Sequence, residues 1–191
     1  MKKLRTLLLL FCSLSIFAGC AHYSLVSGGQ SVTVHNSLQV LPHISWNMSK
    51  NNNGEIWTVD GPALDRLIFF TGIENGKPLF QTDINDDQKM PAFSPSMTAL
   101  ELMDLVEATL ARLDFYDIVM ENLKPALFDN QDGFCFDFSC VAKEGLRYKG
   151  FVRGTVKDNK LYLILYQASA LHYHDLYRKE AEKIADSVKF L

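Results

Sequence analysis

Apolar residues recur along this chain with two different periods. Between Met97 and Leu113 the spacing is helical: Leu102, Leu105, Val106, Thr109, Leu110 and Leu113 fall at i, i+3, i+4, i+7, i+8 and i+11. Ser96 or Thr98 supplies a cap, and Thr98 with Glu101 has the capping-box spacing. A second helical stripe, Tyr173, Leu176, Tyr177, Ala181, Ile184 and Val188, lies near the C-terminus, with Arg178, Lys179, Glu182 and Lys183 on a face expected to be solvated. Between the helices the period falls to two. Phe134, Phe136, Phe138 and Cys140 alternate with Cys135, Asp137, Ser139 and Val141. Lys143-Glu144-Gly145 and Lys157-Asp158-Asn159 then turn the chain into strands over residues 146–156 and 160–167. Short turns between consecutive strands make an antiparallel meander. Residues 161–166 are apolar on both faces and predict a central strand covered on each side. A sheet buried on both faces needs a layer on each, and the two amphipathic helices are the natural covers. The predicted class is α+β, a central antiparallel sheet packed between helices.

The first half is more broken. Residues 31–40, 44–48, 55–59 and 67–72 are candidate strands, with turns at Asn51-Asn52-Asn53-Gly54 and Asn75-Gly76. Residues 78–81 suggest a short edge piece, and 85–96, with Pro91 and Pro95, a mobile loop. Trp46 and Trp57, on facing candidate strands, predict a cross-strand aromatic pair in the core.

The N-terminus adds an address. Lys2, Lys3 and Arg5 precede an apolar run over residues 7–17 and then Ala18-Gly19-Cys20. That is the build of a secretory signal, and the run is short of the roughly 20 apolar residues a membrane-spanning helix needs. Phe17-Ala18-Gly19-Cys20 resembles the lipobox of bacterial lipoproteins, with Phe17 where the pattern usually has Leu, Val or Ile. The resemblance implies cleavage after residue 19 and diacyl or triacyl modification of Cys20 with palmitate-type chains. Two such chains anchor a protein stably where one does not. Residue 21 is Ala rather than Asp, which by the same resemblance favours the outer membrane, facing the periplasm, in a Gram-negative source. A plain signal peptide with an incidental Cys20 is the alternative. Residues 1–19 thus read as signal peptide, 20–30 as lipidated cysteine and flexible tether, and 31–191 as one domain.

Composition narrows the classes. The chain has 191 residues, room for about one domain at roughly 150 residues each. It is 48% apolar and 21% charged, enough for a real core. The formal charge is −3; without residues 1–19, sixteen cationic residues face 22 acidic ones and the charge is −6. A net-acidic body argues against nucleic-acid binding through a basic surface and gains nothing from anionic lipid. Cys135 and Cys140, five apart on one strand, face opposite sides about 17 Å apart. A disulfide needs Cα atoms within about 7 Å, so two buried free thiols are expected, with no positive neighbour at short range.

The order of elements resembles the fold shared by photosystem II PsbP-type proteins, yeast Mog1 and bacterial DcrB-like lipoproteins. The meander over residues 133–167 and the ending His172-Tyr173 through Ile184-Ala185-Asp186-Ser187-Val188 carry the resemblance. It covers the C-terminal half well and the N-terminal half loosely. It implies a small non-enzymatic accessory or assembly factor that binds another envelope protein, and it carries over no active site. Fold alone does not fix function.

Candidate chemistry is sparse. His172 and His174, with Asp175, share a face only if that stretch is extended; in a helix, two positions apart is about 200°. A zinc site needs three or four ligands, so no metal is expected there. Asp83, Asp86 and Asp87, and the turn Asp129 to Gly133, do not match a calcium loop. Gly-x-Ser-x-Gly, Ser-x-x-Lys, His-Glu-x-x-His, Gly-x-Gly-x-x-Gly and P-loop motifs are absent, so neither catalytic residues nor cofactors are assigned. Arg147, Lys149 and Arg153 share one parity with Phe151 among them, which reads as a solvated face or as long stems lying over a helix, with a site for an anionic partner or glycan as the alternative. Two other readings stay open: a small-ligand carrier with an apolar pocket lined by side chains such as Phe134 or Tyr166, and a hydrolase with dispersed residues.

Overall fold

The structure, a computed structural model, describes residues 23–51, 54–81 and 90–191. In chain order its elements are β1 (Ser24–Val26), β2 (Val32–Val34), β3 (Leu38–Val40), β4 (Trp46–Asn51), β5 (Gly54–Thr58), β6 (Asp65–Ile73), α1 (Ala99–Arg112), β7 (Phe115–Phe128), β8 (Gln131–Ala142), β9 (Arg147–Lys157), β10 (Lys160–Ser169), α2 (Tyr173–Asp186) and β11 (Lys189–Phe190). The large sheet runs β1-β4-β5-β6-β10-β9-β8-β7, and a small one runs β11-β3-β2. Every pairing is antiparallel, so the predicted α+β class and meander are what the chain forms.

The expected central strand is β10, buried almost throughout and paired with β6 on one side and β9 on the other. Each face of the sheet has its own core. On one, Leu102, Leu105, Val106 and Leu110 of α1 pack with Phe134, Phe136, Phe138, Leu163 and Leu165. On the other, Ala181, Ile184 and Ala185 of α2 pack with Trp46, Phe151, Ile164 and Tyr166, and the small sheet adds Val34, Leu38 and Val40. The capping box forms as predicted: Thr98 accepts from the Glu101 backbone N–H at 3.3 Å, and Glu101 accepts from the Thr98 N–H at 2.7 Å. Thr98→Ala is therefore expected to cost about 1 kcal/mol, read as a lowered denaturation midpoint.

Several expectations are corrected. Residues 31–40 are a hairpin of β2 and β3, because His35 and Asn36 adopt positive φ (46° and 55°) and turn the chain. The expected tether is partly structured: β1 pairs with β4, and the Gly29 N–H donates to the Pro42 carbonyl at 2.8 Å. The far part of the expected mobile loop is anchored, with Phe93 buried and Ala92 bridged to Pro78. Trp46 and Trp57 are both fully buried on one face but do not pair: Trp57 sits opposite Met48 and packs on Phe69, while Trp46 packs on Tyr177. Cys20, Asp83, Asp86, Asp87 and the middle of the Asn-rich turn lie outside the described residues.

The longest unanticipated element is β7. Bulges at Asp117 and Asn122, both with positive φ, shift its register against β8 and erase the two-residue alternation. The turn after it, at Asp129, also holds the C-terminus. The Asp129 carboxylate accepts from the Phe190 N–H at 3.1 Å and from Lys189 Nζ at 3.0 Å. The Phe190 hydrogen bond, then Lys189, holds the Asp129 carboxyl below its ordinary 3.8. A depressed carboxylate stabilises the fold above its unfolded value, and that contribution fades as pH falls through the folded one. The Phe190 amide resonance is expected to titrate below pH 3.8, and Asp129→Asn, which tolerates the same backbone, to abolish the titration.

Candidate functional site

The layer over the α2 face is incomplete. α2 packs on β6, β10 and β9, whereas β8 and β7, apart from Phe128 buried against Phe190 at the end of β7, carry mainly polar side chains on that side. Between the helix and these outer strands runs a groove. One part, about 230 Å³, is lined by Asn122, Asp137, Phe151, Arg178 and Glu182 among others. A second, about 410 Å³, continues past Lys124, Leu127 and Asp129 toward Lys189. Cys135, Lys124, Arg153 and Asp186 line both parts.

Arg178 is the hinge of the wall. Its Nη2 donates to Asp137 Oδ1 at 2.7 Å, its Nε donates to Glu182 Oε1 at 2.8 Å, and its guanidinium lies 5.8 Å from the Phe151 ring centre. Asn122 Nδ2 donates to the other Asp137 oxygen at 3.0 Å, tying the β7 bulge to the same cluster. Arg153 pairs with Asp186 at the end of α2. Burial lowers the pKa of Arg178, but hydrogen bonds to Asp137 and Glu182 outweigh it and hold the group firmly protonated.

The expected solvated face of α2 is thus half wrong. Arg178 and Glu182 are half-buried over the sheet, Leu176 is 50% exposed, and His174 takes the buried stripe position. His174 and exposed His172 share no site: the His174 Nδ1 contacts Asp175 Oδ1 at 2.8 Å, and that contact lowers the Asp175 pKa. Among the described residues no group of three or more His, Cys, Asp or Glu could hold a metal ion. Arg147 and Lys149 are exposed, but Phe151 is buried against Tyr166 and Arg153 is drawn to the helix.

The two thiols are free and on opposite faces, as the strand spacing requires. Cys140 is buried beneath α1, and burial pushes its thiol up to about 11. Cys135 is only half-buried, in the groove, and it does have cationic neighbours: it registers with Lys124 on β7 and Arg153 on β9. Both were invisible in the sequence because they arrive across strands. Phe134 and Tyr166, expected around an internal apolar pocket, are packed into the two cores, and neither lines any cleft described here. Thr71 Oγ1 lies 2.9 Å from His35 Nδ1, but on an exposed patch outside those clefts.

No family model matches the chain, and no curated protein matches it in sequence. Among solved structures it is similar to cyanobacterial PsbP (CyanoP) from Synechocystis, with a TM-score of 0.52, 12% identity, and coverage of 92% of this chain and 96% of that one. The fold is PsbP-like. LpqN, described as involved in cell envelope biogenesis of Mycobacterium tuberculosis, aligns over 91% of this chain and 87% of its own, with a TM-score of 0.38 and 10% identity.

Proposed function

We propose that this protein is a lipid-anchored, non-enzymatic factor of the cell envelope that docks another envelope protein in the groove between α2 and β7–β8. The observation that carries the reading is the uncovered α2 side of β7 and β8, a cleft edged by charges of both signs. Its geometry relative to the anchor supports it. If Cys20 carries lipid, only Ala21, His22 and Tyr23 separate it from β1, a reach of at most about 14 Å. The β1 edge is then held at the membrane. β7 is the opposite edge, seven strand spacings or about 34 Å away, so the groove faces the compartment. Neither part of the groove around Cys135 is lined by a histidine, which favours binding over thiol catalysis.

A photoreactive residue at Asn122, introduced into the full chain in its host, tests this. A discrete protein adduct is expected from Asn122 and none from exposed Glu107 on α1. Cys20→Ala is expected to move the protein from the membrane fraction to the soluble one and to reduce the adduct severalfold. An adduct from Glu107 alone, or none from Asn122, sinks the docking reading; unchanged membrane association in Cys20→Ala sinks the anchor.

A further inference from the structure

On the α1 face, at the end of β6, Arg66 continues the row of Ile68 and Phe70. Its Nε and Nη2 donate to one atom, Gln167 Oε1, at 3.0 and 2.6 Å, and Gln167 is itself buried and neutral. The guanidinium lies 5.7 Å from the Phe115 ring centre. Arg153, Lys157, Lys160, Arg178, Lys183 and Lys189 each have a carboxylate partner, but no ion pair among the described residues takes Arg66. Burial pushes its pKa down, against a smaller pull upward from Tyr148 and Cys140. A cation held half out of water without a counter-charge is costly unless something else supplies one.

The same side chain lines a cleft of about 290 Å³. Phe115 and Tyr148 form its walls, and the Tyr148 hydroxyl is fixed by donating to the Ala63 carbonyl at 2.7 Å. Exposed Asp114, Lys143 and Glu144 form the rim. α1 ends beside them at Leu113, and its last carbonyls add a partial negative charge. The cleft therefore has a guanidinium within, two carboxylates and a helix C-terminus at the mouth, and aromatic faces between.

We propose that this cleft binds a small zwitterion of the amino-acid class. The ligand carboxylate lies on the unbonded edge of the Arg66 guanidinium, whose planar fork matches it. The ammonium lies at Asp114 and Glu144, and the apolar remainder rests on Phe115 and Tyr148. A bare anion would meet the two rim carboxylates, offset only by the flexible Lys143, and a bare cation would meet Arg66 inside. Only a molecule carrying both charges satisfies both ends.

The common amino acids are titrated one at a time into the full-length protein in detergent, by calorimetry. Saturable binding of at least one is expected. Its analogues lacking the amine or lacking the carboxylate should each bind at least tenfold more weakly. Arg66→Gln is expected to abolish binding. Because that change also removes packed groups, the exposed pair Asp114→Asn with Glu144→Gln provides a second arm, expected to weaken binding about tenfold. No saturable ligand, equal affinity for the amine-free analogue, or undiminished binding in folded Arg66→Gln overturns the proposal.

Discussion

Gly150→Ala is expected to lower the melting temperature by roughly 6–12 °C, equivalent to about 3 kcal/mol for a domain of this size. A methyl group at Gly150 would stand 2.0 Å from the Tyr166 carbonyl oxygen and 2.7 Å from the Phe138 ring. Neither can retreat. Tyr166 belongs to the central strand β10, and Phe138, directly across from Gly150 on β8, is fully buried under α1. The aromatic ring fills the space that the glycine leaves, whereas at Gly154, opposite Phe134, the Leu163 side chain fills the corresponding space. Gly145→Asn is the matched control, since that turn has φ 83° and open space around it, and about 1 kcal/mol or less is expected there. Thermal unfolding followed by circular dichroism distinguishes the two. Equal shifts would mean that the close approach at Gly150 adds no cost beyond that of replacing an unhindered glycine.

The second large effect is at Asp65. This buried carboxylate accepts from the Val59 N–H at 2.7 Å, the Asp60 N–H at 2.8 Å and the Thr58 hydroxyl at 3.3 Å, and so shapes the loop between β5 and β6. Asp65→Ala leaves those donors without an acceptor, at an expected cost of about 2–3 kcal/mol. Burial raises the Asp65 pKa above 3.8, against the pull of its hydrogen bonds. The folded state therefore holds the proton more tightly than the unfolded one, and the stability Asp65 contributes declines as pH rises through that window. The gap between wild type and Asp65→Ala should widen as pH is lowered toward 3.8, seen in urea midpoints across a pH series. A narrowing gap would assign the carboxylate the opposite sign.

The helices and the meander were legible in the sequence because their signals are local. The helical spacing of Leu102 to Leu110 and the alternation of Phe134 to Phe138 each belong to one element meeting one core. The turn at Asp158 and Asn159 was legible for the same reason, both residues adopting positive φ (51° and 59°). What failed was whatever two distant segments decide together. β7 lost its alternation to bulges, and its apolar positions Phe115, Ile118 and Leu123 make sense only against α1. Arg178 looked solvated because its partners, Asp137 and Phe151, lie on other elements. The groove likewise exists only once Lys124, Cys135 and Arg153 are brought abreast by strand register. α2 leaves Leu176 half-exposed while it buries His174 and Ala185, a choice that helical spacing alone does not make.

The pairing of β11 with β3 also sets an order of events during synthesis. Gln39 and Leu38 acquire their outer neighbours only when Lys189 and Phe190 have been made, some 150 positions later. Until then β3 has one partner, β2, and an open edge that could recruit a strand from another chain. Closing so long a loop is slow, which makes the small sheet a late step and the half-made chain the vulnerable one.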